Sequence, residues 1–73
     1  MRNEKLISLR QAAGLTQKQT AERLAIDIRT YRRYELSEIA LADVSGHRLL
    51  QMAELFEVSV DYLINDAKTG NGI

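Results

Sequence analysis

A chain of 73 residues without a single cysteine has to hold itself together with an apolar core alone. Disulfides and thiolate metal ligands are excluded, and a domain of this size buries barely enough surface to offset its chain entropy. One small domain is the most that such a length accommodates, with no room for a separate sensory domain. The sequence also lacks proline and has only four glycines, so helices can run without interruption and glycines serve as punctuation at their ends. These features predict a compact, all-α molecule. No window approaches the ~20 apolar residues of a membrane span, and "MRNEKLISLR" lacks the unbroken apolar run of a secretory signal. A cytoplasmic location is the expectation.

Helix boundaries follow from local chemistry. Leu6, Leu9, Arg10 and Ala13 follow an i, i+3, i+4, i+7 pattern that predicts a first helix over about 3–13, stopped by Gly14. In "TQKQ", Thr16 can cap an N-terminus while Gln19 reaches back to complete a capping box, so a second helix starts at Gln17 and ends near Leu24, with Ala21 and Leu24 on its apolar side. Asp27 then caps a third helix after a turn of three residues, and two short helices joined so tightly must cross steeply. Asp43 or Ser45 is placed to cap a fourth helix, and Ser59 a fifth, with Val58 and Leu63 spaced as a hydrophobic staple. The tail at 66–73, "DAKTGNGI", offers one side chain worth burying in its last seven residues and is expected to be disordered.

The third helix carries the most informative stretch, "DIRTYRRYE" (27–35). Tyr31 and Tyr34 lie three apart behind Ile28 and are expected in the core, whereas Arg29, Arg32, Arg33 and Leu36 fall on a neighbouring, basic face. Overall the formal charge is zero, yet residues 1–34 hold eight basic groups against three acids, and residues 35–73 hold two against seven. The chain is thus +5 in one half and −5 in the other. That asymmetry suggests a nucleic-acid-binding face backed by an acidic one.

From Leu6 to Ile64 the sequence resembles a Cro/CI-type (XRE family) helix-turn-helix repressor domain. The resemblance is carried by "LRQAAGLTQKQTAERLAIDIRTYRRYE" and "LLQMAELFEVSVDYLI": Gln17 opening helix two, the small Ala21 where the helices cross, Leu24 and Ile26 around the turn, Tyr31 and Tyr34 in the third helix, and the "RYE" and "VSVDYL" endings. It implies a compact five-helix, lambda-repressor-like domain over residues 1–65 that binds a double-stranded DNA operator as a sequence-specific transcriptional regulator and repressor, as a homodimer. A recognition helix presents its N-terminal part to base edges, which makes Arg29 and Arg33 the candidate base readers; Ile28 either touches a thymine methyl or packs against Tyr31. Arg32 and the start of helix two, Thr16, Gln17 and Lys18, are candidate phosphate contacts. Arg10 and Glu35 resemble the pair that joins helix one to the end of the recognition helix. Val60, Tyr62, Leu63 and Ile64 are candidates either for dimerisation or for the monomer core.

Several positions depart from the family pattern. Ala25 stands where glycine is common, at a turn position suited to positive φ, and Thr20 replaces the usual leucine. The connection "LSEIALADVS" contains no lysine or arginine for a backbone contact, and Ile39, Leu41 and Val44 in it are expected either to cover the core or to meet another subunit. Asp27 favours the helix dipole, repels phosphate, and could accept from cytosine N4. His47 stands alone, so no metal is expected. Glu54, Glu57 and Asp61 are spaced like a solvated face rather than a converging pair, and there is no glycine-rich phosphate loop. No enzyme activity, cofactor or small-molecule effector is expected. The alternative is a protein-interaction module, of antitoxin or anti-repressor type, docking through the apolar "IALADV" loop.

Overall fold

The computed structural model describes residues 2–65, so the tail expected to be disordered (66–73) lies outside the described residues. Five α-helices follow one another: α1 (Glu4–Ala12), α2 (Gln17–Leu24), α3 (Ile28–Glu35), α4 (Gly46–Phe56) and α5 (Val60–Ile64), with a single 3-10 turn at Leu41–Asp43 between α3 and α4. Each helix is started by the side chain that precedes it. Asn3 accepts from the Leu6 N–H at 3.0 Å, Thr16 and Gln19 form a reciprocal capping box, and Asp27 accepts from the Arg29 N–H at 3.2 Å. Ser45, not Asp43, caps α4, and Ser59 caps α5. These bonds satisfy N–H groups that a helix cannot pair internally.

Four helix ends share one device. After α1, α2, α3 and α4 a residue turns into the left-handed region: Gly14 (φ +74°), Ala25 (+58°), Ser37 (+59°) and Glu57 (+59°). In each case that residue's N–H and the next one reach back to the last turn: Gly14 and Leu15 to the Gln11 and Arg10 carbonyls, Ala25 and Ile26 to Glu22 and Ala21, Ser37 and Glu38 to Tyr34 and Arg33, Glu57 and Val58 to Glu54 and Ala53. This is the Schellman closure. It uses glycine at only one of the four ends, and the other three hold an L-residue where its Cβ crowds the backbone.

The helices enclose a core of Leu6, Ala21, Leu24, Tyr31, Tyr34, Leu41, Leu49, Met52, Ala53, Phe56 and Leu63. Tyr31 and Tyr34 pack edge to face, with ring centroids 6.2 Å apart. One expectation is corrected. On α1 it is Ile7 that is buried beside Leu6, whereas Ala13, the C-cap that follows the helix, is exposed. Thr20 is fully enclosed and donates its hydroxyl to the Thr16 carbonyl at 2.8 Å, which satisfies the polar group that replaces a leucine. Leu63 takes the second of the two roles open to it and belongs to the core, at 3% exposure, while Tyr62 and Ile64 beside it remain exposed. The α3–α4 connection covers the core: Leu41 is buried, and Ile39 and Val44 pack against it. Ala40, Ala42 and Asp43 between them stay exposed.

Candidate nucleic-acid interface

Tyr31 and Tyr34 point inward, and this fixes the rotation of α3. Arg29, Arg32 and Arg33 are left exposed on the outside, while Ile28 is half-buried and packs against the core. Arg29 and Arg33, one helical turn apart, share a face. At the start of α2, Thr16 and Lys18 are exposed, and helix geometry leaves the first N–H groups pointing out of the helix end.

Behind this surface the carboxylate of Glu35 is a buried junction of three helices. Arg10 of α1 donates from Nε at 2.6 Å, Tyr31 donates its hydroxyl at 2.6 Å, and Gln17 of α2 donates from Nε2 at 2.8 Å. The side chains of the ion pair are 13% (Arg10) and 4% (Glu35) exposed. Arg10 Nη1 also donates to the Leu15 carbonyl at 2.9 Å, and the Asn3 N–H donates to the Glu35 carbonyl at 2.7 Å, so α1 is tied to the end of α3 at both of its ends. Burial pushes the Glu35 carboxyl up, but the hydrogen bonds from Arg10, Tyr31 and Gln17 and the charge of Arg10 outweigh it, and the group sits below the ordinary glutamate value. The same bond to Glu35 raises Arg10, and burial, followed by the bond to Glu35, pushes the Tyr31 phenol well above its ordinary range.

Among the expected phosphate contacts, Gln17 is placed differently from Thr16 and Lys18. Its amide is half-buried, with Nε2 on Glu35 and Oε1 accepting from Arg32 Nε at 3.3 Å. Asp27 is occupied in capping α3. Two participants were not legible in the sequence. Glu38 lies 3.5 Å from Arg33 Nε, brought there by the left-handed turn at Ser37, and neither helical spacing nor strand spacing relates the two positions. Arg48, on the first turn of α4, reaches the Tyr34 hydroxyl at 3.4 Å, a contact that depends on how α4 packs on α3. Val60 is half-buried, and Lys5 lies over the Tyr62 ring at 4.5 Å from its centroid.

Among the described residues no helix is long and apolar enough to cross a membrane, and no group of acidic residues and histidines is arranged to hold a metal ion. No curated protein and no solved structure matches the chain. A family model described as Helix-turn-helix matches residues 6–63. Its span takes in all five helices apart from the first residues of α1 and the last of α5, including the α2–α3 pair and the arginine face it exposes. The chain belongs to the XRE-type helix-turn-helix family and is a DNA-binding regulatory domain of the Cro/CI kind.

Proposed function

We propose that the protein is a sequence-specific repressor that places α3 in the major groove of an operator and blocks transcription by occupying it. The observation that supports this most directly is the division of α3, with two tyrosines in the core and three arginines exposed on the outside. Arg29 and Arg33 are assigned to base edges, since a guanidinium can donate two parallel bonds to guanine O6 and N7. Thr16, Lys18 and Arg32 are assigned to the backbone, which fixes register without reading sequence. A half-buried Ile28 lies at the first turn, where its outer edge can reach a thymine methyl.

One such unit reads only a few base pairs, so the repressor is assigned a two-fold dimer, with Tyr62 and Ile64 of α5 as its exposed apolar contacts. The operator is then an inverted repeat whose half-site centres lie about one turn, ~34–36 Å, apart. The test is selection of duplexes from a random pool, then affinity measurements on the selected site and on unrelated sequence. Arg33→Ala should cost about 1–3 kcal/mol on the selected site and relax preference at one position, whereas Lys18→Ala should weaken all duplexes alike. Equal, sequence-blind losses for the two variants would remove Arg33 as a base reader.

A further inference from the structure

We infer that Gln17 acts on DNA only through Arg32: it is a positioning residue that carries the fixed location of the buried Glu35 carboxylate across the α2–α3 seam and presets Arg32 for a phosphate. The inference deepens the DNA-binding reading and rests on it. Its basis is the complementarity of three groups. An ionised carboxylate can only accept, so the amide of Gln17 must turn its NH2 toward Glu35, where it is found at 2.8 Å. That choice leaves the amide oxygen facing outward. A guanidinium can only donate, and Arg32 Nε lies 3.3 Å from that oxygen. Reversing the amide would set NH2 against guanidinium and oxygen against carboxylate, so both neighbours enforce the same orientation.

Glu35 cannot follow Gln17 if the latter moves, because Arg10 and Tyr31 hold it from two other directions. Gln17 is therefore anchored at its inner end and aims its outer end. Arg32 is otherwise an exposed side chain with no second side-chain hydrogen bond or ion pair among the described residues. Through its Nε it is drawn to the first residue of α2, beside Thr16 and Lys18, with both Nη groups left to donate to an anion. An arginine ordered in advance loses less side-chain freedom on binding, which is the general source of affinity from preorganisation. Each polar end of the Gln17 amide already has a partner within the protein, Glu35 on one side and Arg32 on the other, and the inference assigns it no phosphate of its own.

The experiment is a double-mutant cycle with Gln17→Ala, Arg32→Ala and the pair, measured against the selected duplex and an unrelated duplex over a range of salt, at a temperature where circular dichroism shows all four proteins folded. Arg32→Ala should weaken both duplexes by the same factor and reduce the salt slope by about one. Gln17→Ala should weaken binding several-fold when Arg32 is present and leave it unchanged when Arg32 is already alanine. Equal losses from Gln17→Ala in both backgrounds would overturn the inference, since Gln17 would then be acting by itself. The Arg32 Nε–H resonance of the free protein supplies a second readout. It should be resolved and slow to exchange, and should become solvent-averaged in Gln17→Ala; an Arg32 signal that is already averaged in the unmodified protein overturns the contact. Failure of the unmodified protein to bind any duplex, with that resonance still protected, would instead overturn the DNA reading.

Discussion

Ala25 is the residue on which the α2–α3 turn pivots, and its φ of +58° is a conformation in which an L-residue's Cβ meets the neighbouring carbonyl. The left-handed region costs an L-residue roughly 1–2 kcal/mol. Ala25→Gly removes that cost but gives the unfolded chain more freedom to lose, about 0.4–1 kcal/mol. The net expectation is stabilisation of about 0.5–1 kcal/mol, or roughly 2–8 °C in melting temperature for a domain this small. The reciprocal control is Gly14→Ala. A Cβ built at Gly14 meets nothing within 4 Å, so any loss there reports backbone conformation and no steric contact. It should destabilise by about the same amount. Thermal unfolding monitored by circular dichroism or calorimetry checks both. If Ala25→Gly melts no higher than the parent and Gly14→Ala melts no lower, the left-handed turns carry no strain and the reasoning fails.

Tyr31→Phe keeps the ring in the core but withdraws a donor from Glu35, a bond to a charged group worth about 1.5–3 kcal/mol; an unchanged melting temperature would count against the buried junction. Glu35 has a folded pKa below its unfolded value, so its stabilising contribution is present above the ordinary carboxylate range, ~4.3, and is lost as pH falls through the lower folded value. An NMR titration placing the Glu35 carboxyl at or above the free-glutamate value would refute that. If the proposed dimer forms, Ile64→Asp should leave a species that sediments as a monomer with stability within about 0.5 kcal/mol of the parent, because Ile64 is exposed, whereas the same change at Leu63 would unfold the core; a parent that already sediments as a monomer refutes the dimer.

The parts of this fold that could be read from the sequence are those set by neighbours in the chain. Thr16 with Gln19, Asp27 with Arg29, and Ser59 with Tyr62 act within three residues, so composition and spacing identify them. The inward phase of Tyr31 and Tyr34 was legible for the same reason. Ser37 and Glu57 gave no signal for a left-handed turn, since neither is glycine or asparagine and the turn at each is enforced by the packing of Ile39 and Val58 against the core. Leu63 was ambiguous because an apolar residue on a five-residue helix serves a core or a contact surface equally well until its neighbours are placed. Arg10 and Glu35 could be paired through resemblance, but the third partner, Gln17, and its outward link to Arg32 depend on the crossing of α2 and α3 at the level of individual atoms.

The separation of roles along α3 has a practical consequence for changing which DNA sequence is addressed. Tyr31, Tyr34 and Glu35 belong to the interior, Arg32 is tethered to α2, and Ile28 is partly seated on the core. Among the described residues, the side chains at 29 and 33 have no such obligations: Arg29 is exposed, and Arg33 makes an exposed ion pair with Glu38, an interaction that contributes little to folding. On the proposed reading, in which 29 and 33 face the bases, a combinatorial library confined to those two positions explores new targets on an unchanged scaffold. Extending it to 28 or 32 would begin to trade fold stability, or the proposed grip on the backbone, against each new preference.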